Sequence, residues 1–325
     1  MSKPVVTIIG SLNCDLVTFT NKVPQGGETY TANSFETHQG GKGLNEAIAV
    51  SRLSPTNKIH TRMIGKIGKD DFGKNLKNCL IESGVDTTYI EEIENISSGV
   101  AVIIVESNGE NRILITPGTN GELKPTDEEY SKYFKDIDIG FVVLQNEYPD
   151  TAKTIDWLKL NKPNINIAYN PSPFKKELIT NEIWSKIDLL IVNEGEALDV
   201  AKHLLPKTKI NEDVKGFENL TIEIQKLINQ SNIKTVIITM GSKGSLFHDG
   251  NTTTKPRFIE SKKVENVIDT TGAGDTFFGG VVSNLALGKK IEDAVEFATI
   301  ASSLAIQKKG AAEGIPTYEE VLKNL

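Results

Sequence analysis

The sequence predicts an α/β protein of three layers, with a doubly wound, mostly parallel sheet between helices and a small second β-sheet beside it. Three observations predict this. Short β-branched runs recur at Val5 to Ile9, Phe141 to Leu144, Ile165 to Tyr169, Leu189 to Val192 and Thr235 to Ile238, and their continuous apolar character suits strands buried on both faces. Helical periodicity fills the gaps between them. Two stretches, Gly27 to Gln39 and Ser98 to Thr116, break that rhythm.

The helical periodicity is clearest in two segments. Gly43 to Leu53 carries Ala47, Ile48, Val50 and Leu53, and Ile291 to Ile306 sets Ile291, Ala294, Val295, Ala298, Leu304 and Ala305 largely on one stripe. In the second irregular stretch, Val100 to Val105 and Arg112 to Thr116 flank Ser107-Asn108-Gly109, and an Asn-Gly pair between extended runs signals a hairpin. Thr29, Tyr30, Thr31 and Phe35 give the first stretch a similar character. Together they predict a β lid, about 14–40 and 97–120, inserted in a single domain spanning 1–325. Leu204 to Leu220 is polar and contains Pro206 and Gly216, which predicts a surface insertion.

Composition excludes several classes of function. Lys and Arg total 36 against 43 Asp and Glu, a formal charge of -7, and this balance disfavours nucleic acid, whose phosphates are bound by clustered cations. Neither Val5 to Ile9 nor Val100 to Val105 approaches the ~20 apolar residues that span a bilayer. The N-terminus turns polar at once, without the apolar core of a secretory signal, so a cytoplasmic protein is expected, with nuclear access left open. Sequons at Asn95, Asn219 and Asn251 therefore carry no weight. Cys14 and Cys79 form no CxxC pair, and His38, His60, His203 and His248 show no metal-ligand spacing.

Polar residues gather where the predicted strands end. Asn13 and Asp15 follow the first run, Gln145 to Glu147 the second, Asn170 the third, Asn193 and Glu196 the fourth, and Thr239 to Gly244 the fifth. In open α/β sheets ligands bind at that edge. Each residue alone could be a turn former or a helix cap; five successive strand ends point to a site.

Two nucleotide signatures fail. Gly41-x-Gly43 and Gly272-x-Gly274 lack the third glycine of a dinucleotide fingerprint, being followed by Glu46 and Phe277. Gly68 to Lys74 imitates a phosphate loop, but Asn75 replaces the hydroxyl that would meet magnesium, and Asp70 and Asp71 would repel phosphate. The informative run is Asp269-Thr270-Thr271-Gly272-Ala273-Gly274-Asp275. It opens an apolar helix that should end near Gly288, and the N–H groups and positive dipole of such a helix start form an anion pocket. A carboxylate beside that pocket could hold a hydroxyl and accept its proton as the oxygen attacks phosphorus. Asp275 could also simply complement the helix dipole.

That run, with Gly40 to Ala47 (GGKGLNEA), resembles the ribokinase branch of the PfkB-type carbohydrate kinases. The resemblance extends from Gly10-Ser11-Leu12-Asn13-Cys14-Asp15 through Gly65 to Gly73 and on to Lys309-Gly310-Ala311. It implies a ribokinase-like fold and an enzyme that uses MgATP to phosphorylate D-ribose at the 5-hydroxyl, releasing ADP. By the same resemblance, Asp275 is the catalytic base, and Gly272, Ala273 and Gly274 form the anion hole. Asn13, Asp15, Gly41, Lys42, Asn45 and Glu147 hold the sugar.

On the nucleotide side, Asn193 approaches the phosphates and Glu196 acts through the magnesium shell. Thr239, Gly241, Ser242, Lys243 and Gly244 form the ATP-binding loop, with Thr299 on the adenine side. The family's ribokinases are activated by a monovalent cation, K+, for which Asp269, Thr271, Ala305, Lys308, Gly310 and Gly314 match, Gly314 standing where Ser is usual. The lid is expected to close over the sugar, excluding water, and to pair into a homodimer. Two rivals stay open: a kinase of the same fold acting on fructose, a keto-sugar acid or adenosine, and a sugar or nucleotide sensor without turnover.

Overall fold

The computed structural model describes residues 3–208, 210–231, 233–250 and 255–325. In chain order, β1 (Val5–Ile9) leads into β2 (Asn13–Thr20), β3 (Ser34–Gly40) and α1 (Lys42–Arg52). Next come β4 (His60–Gly68), α2 (Asp71–Glu82), β5 (Asp86–Ile93), β6 (Gly99–Glu106) and β7 (Asn111–Thr116). The middle of the chain holds α3 (Asp127–Tyr133), β8 (Gly140–Leu144), α4 (Thr151–Asn161), β9 (Ile165–Tyr169), α5 (Asn181–Trp184), β10 (Leu189–Asn193), α6 (Glu194–Leu204) and α7 (Val214–Gln225). Then follow β11 (Thr235–Thr239), β12 (Gly244–His248), β13 (Arg257–Glu260), α8 (Ala273–Ala286), α9 (Ile291–Ala305), α10 (Ala311–Gly314) and α11 (Tyr318–Leu322).

Nine strands form the main sheet in the order β13-β12-β11-β10-β9-β8-β1-β4-β5. All neighbours from β5 to β11 pair in parallel; β12 and β13 are antiparallel. Alternate residues of each central strand feed separate cores, because side chains along a strand point to opposite faces. Ile8, Val143 and Ile237 pack with α1, α8 and α9, including Ile48, Phe278 and Ala298. Ile9, Val142 and Ile238 face the other core, with Trp157, Phe217 and Ile224. All five apolar runs are strands, and both helical segments are helices, so the three-layer expectation holds.

Four strands form the second sheet, β3-β2-β6-β7. β6 and β7 are the expected hairpin, paired from Val100↔Thr116 to Val105↔Asn111. The other lid stretch, about 14–40, is β2 paired with β3 from Asn13↔Gly40 to Phe19↔Ser34, and it differs from expectation only in that residues 27–33 lie outside the regular pairing. Every residue of β7 is exposed, including Ile113, Leu114 and Ile115.

A second correction concerns Leu204 to Leu220. From Val214 onward it is helix α7, started by Asp213 accepting the Gly216 N–H at 2.7 Å, and Phe217, Leu220 and Ile224 are buried against the sheet. The apolar stripe outweighs the polar composition that suggested an insertion. The phosphate-loop lookalike is a helix start that carries its own carboxylate cap. Asp70 caps α2 through Gly73 at 2.7 Å and also accepts from the Ser98 amide and hydroxyl, tying α2 to the base of the lid. The Asn251 sequon lies outside the described residues. Among the described residues no helix is long and apolar enough to cross a membrane.

Candidate functional site

Two helices begin side by side above the carboxyl edge of the sheet. α1 starts at Gly41 and Lys42, and Gly43 lies so close to the chain leaving β1 that a Cβ there would come within 2.7 Å of Gly10 and Ser11 backbone atoms. Glu147, past the end of β8, accepts the Lys42 N–H at 2.9 Å and the Ser11 hydroxyl. It therefore places a carboxylate at the positive end of α1, where charge and dipole reinforce each other. Asn146 beside it is buried, accepting from the Tyr169 hydroxyl and donating to the Pro173 carbonyl, so Glu147 is the cleft residue of the pair.

α8 starts at Gly272, in left-handed conformation with φ 73°. Asp275, in its first turn, is 8% exposed and reaches across to α1. The Asn45 side chain donates to Asp275 Oδ2 at 2.8 Å, and Lys42 Nζ lies 3.5 Å from Oδ1. Burial alone would push the Lys42 ammonium down, but the neighbouring carboxylates, Asp275 first and then Glu147, outweigh it and hold the group above its ordinary value. Lys42 is thus a fixed positive charge at the junction of the two helices.

The lid base completes this cleft. Asn13 opens β2, and its side-chain oxygen accepts from Asn120 at 2.8 Å; Asn120 also pairs with both backbone groups of Leu12. Asp15 lies opposite His38 of β3. Burial, with the Glu147 carboxylate adding to it, pushes Asp15 up to about 7, while His38 opposes the shift. A cleft walled by carboxylates, amides and one ammonium offers donors and acceptors in the mixture that vicinal hydroxyls require.

On the other side of the α8 start lies a cavity of about 510 Å³. Thr239, Gly241, Ser242 and Gly244 line it from the β11–β12 turn, Ala273 and Gly274 from α8, and Thr299 from α9. Lys243, expected in this loop, instead turns to Glu194 at 2.8 Å. Residues 261–264, Val267, Phe277, Ser302, Ser303 and Ile306 also line the cavity and were missed. For 261–264 the only sequence signal was the pair Lys262-Lys263, in a stretch with no periodicity. Val264, Val267, Phe277 and Ile306 make an apolar wall suited to a planar ring, and short hydroxyls supply polar contacts.

Asn193 and Glu196 sit apart from that cavity lining, as the reciprocal capping box of α6. Glu196 Oε2 accepts from the Asn193 N–H at 3.0 Å and from Asn170 at 3.2 Å, leaving its other oxygen outside this network. Among the described residues no group of three or more His, Cys, Asp or Glu is placed to hold a metal by itself. A single carboxylate fits magnesium, which keeps its waters and leans on substrate phosphates.

The residues matched to a monovalent cation gather around Asp269. Its Oδ1 accepts from the Thr271 N–H and hydroxyl at 2.9 and 2.6 Å, and its Oδ2 from the Gly310 N–H at 3.0 Å. Burial would raise its pKa, but these donors hold it below the ordinary carboxylate value. A Cβ on Gly314 would sit 3.1 Å from the Ala305 carbonyl oxygen, so that oxygen and Gly314 adjoin. The Lys308 ammonium turns to Glu320 at 3.2 Å, leaving the carbonyl as its oxygen donor. The donor set, one carboxylate and neutral oxygens, fits a hard cation of low charge.

Fold and site together define an α/β protein with a polar cleft and a nucleotide-sized cavity meeting at one helix start. The chain belongs to the pfkB family of carbohydrate kinases, whose model matches residues 3–318. It is 35% identical over 320 residues to a ribokinase of Schizosaccharomyces pombe, covering 97% of this chain and 96% of that protein. It is 36% identical over 326 residues to a ribokinase of Lactococcus lactis, covering 98% and 96%. Among solved structures it is similar to Arabidopsis thaliana ribokinase complexed with ribose and ATP, at TM-score 0.83 and 29% identity, covering 99% and 98%.

Proposed function

We propose that the protein transfers the γ-phosphoryl group of ATP to the 5-hydroxyl of D-ribose, giving ribose 5-phosphate and ADP. One observation carries this reading: Gly274 lines the cavity while its neighbour Asp275 bonds to α1 in the polar cleft. An acceptor in the cleft and a phosphate in the cavity therefore meet at one turn of helix.

In this reading Asn13, Asp15, Gly41, Lys42, Asn45 and Glu147 hold the sugar hydroxyls. Asp275 takes the proton of the attacking hydroxyl, and the Gly272 to Gly274 amides receive the charge that develops on the transferring phosphoryl group. Helix-start amides lack acceptors inside their own helix; that of Ala273 meets the Thr270 carbonyl at 3.3 Å and would turn from it to the phosphoryl oxygens. Thr239, Gly241, Ser242 and Gly244, with Thr299, contact the nucleotide. Asn193 approaches the phosphates, and Glu196 would hold magnesium through its water shell, the ion neutralising phosphate charge when bound. Asp269, Thr271, Ala305, Lys308, Gly310 and Gly314 would hold potassium, beside the α8 start. The exposed apolar residues of β7 support pairing of the lid with a second copy, since such an edge is open to strand partners.

ADP release, measured with MgATP and potassium across D-ribose, 2-deoxyribose, fructose and adenosine, tests the reading. Preference for ribose is expected. Turnover of another acceptor alone would move the assignment of the cleft residues, and no turnover of any would favour a sensor.

A further inference from the structure

Beneath the cleft lies a pair of side chains that this reaction scheme does not use. Glu46, on α1, is 1% exposed, and Gln145, just past β8, is 0% exposed. The Gln145 amide donates to Glu46 Oε2. The remaining oxygen of each group, Glu46 Oε1 and Gln145 Oε1, is buried without a hydrogen-bond partner. A buried carboxylate served by one neutral donor is costly, and an unserved amide oxygen adds to the cost. A single proton on Glu46 Oε1 removes both faults, because the acid then has a donor and the amide has an acceptor waiting.

We propose that Glu46 is a neutral carboxylic acid in the folded protein, joined to Gln145 by two hydrogen bonds, and that the pair positions the cleft. Its place in the fold gives it that role. Glu46 adjoins Asn45, which bonds Asp275, and Gln145 lies two residues before Glu147, which caps α1. The pair thus fastens the helix that presents Lys42 and Asn45 to the strand end that presents Glu147. The charged groups facing it are Asp275 from α8, Glu147 from the β8 exit and Lys42 from α1. Burial first, then Asp275, pushes the Glu46 carboxyl well above the ordinary range, with Lys42 opposing. Neutral Glu46 also spares Asp275 a second buried negative charge.

The kinetic part of the test rests on the phosphotransfer reading; the spectroscopic part does not. Infrared spectra of the whole protein at about pH 9, two units above the Asp15 value of about 7, leave Asp15 ionised. Wild type is expected to show the carbonyl stretch of a protonated carboxyl group, lost in Glu46→Gln and kept in Asp15→Asn. Glu46→Gln supplies the same donor without a titrating proton, so kcat/KM for ribose should stay within about twofold, whereas Glu46→Leu should raise the ribose KM about tenfold. Absence of the band in wild type, or equal damage from Gln and Leu, overturns the proposal. The band in a protein that phosphorylates no sugar would support the pair and overturn the phosphotransfer reading instead.

Discussion

The helices α1 and α8 meet at the centre of the site, and their N-termini are treated in opposite ways. At α1 the protein fills the helix end itself. Glu147 takes the Lys42 amide, and the Ser11 carbonyl takes the Leu44 amide at 3.0 Å. At α8 no side chain caps Gly272, and a Cβ on Gly274 would meet nothing within 4 Å. One dipole is spent on a built-in carboxylate and the other is left for an incoming anion. The difference sorts the ligands: an uncharged polyol suits the capped end, and a phosphate chain suits the open one.

The largest effect should come where the two ends touch. Asp275→Asn keeps the shape of the junction and its bond to Asn45 but removes the proton acceptor. The expected result is a fall in kcat of about a thousandfold, with ribose affinity by calorimetry changed by less than about threefold. A comparable loss of ribose affinity would show Asp275 to be a sugar ligand rather than a base. Next in size is a carboxylate placed at the open end. Gly274→Asp should weaken ATP about a hundredfold through like-charge repulsion at the helix start, while ribose binding is unchanged. Equal weakening of both ligands would mean that the ends do not act separately. Third, Glu147→Gln removes the built-in charge from α1 and keeps its acceptor oxygen. Ribose affinity should fall about tenfold, and stability by about 1 kcal/mol on urea unfolding. An unchanged protein would mean that the cap is incidental.

The same contrast explains what could be read from sequence. The open end is local: Gly272 to Asp275 are consecutive, and their chemistry follows from a helix start. The capped end is assembled from distance, since Ser11 and Glu147 are 136 residues apart and Leu12 and Asn120 are 108 apart, so neither Ser11 nor Asn120 stood out. In the fold, β1 and β8 to β11 were legible because both faces of each are buried. β4 was not, because Arg62 and Lys66 break its apolar run. Arg62 is nevertheless 4% exposed, stacked on the Tyr89 and Phe134 rings and bonded to Thr7 at 2.7 Å. Tertiary packing overrode composition there, as it did in α7.

The smallest expected effect concerns the cost of crowding acids at the capped end. Asp15 has a folded pKa of about 7, raised by burial and by Glu147, against roughly 3.9 in an unfolded chain. Between these values the native protein holds a proton that the unfolded chain releases. The stabilisation linked to that proton is complete below about pH 4, is lost as pH rises, and is gone above about 7. Asp15→Asn carries no such proton, so relative to wild type it should gain stability from pH 5 to pH 8, by on the order of 2 kcal/mol after discounting for partial exposure. Urea unfolding at the two pH values measures this, and Glu46, present in both proteins, cancels from the difference. Parallel stability curves would show Asp15 to be an ordinary carboxylate, and the crowding beside Glu147 would then have no energetic cost for a sugar to relieve.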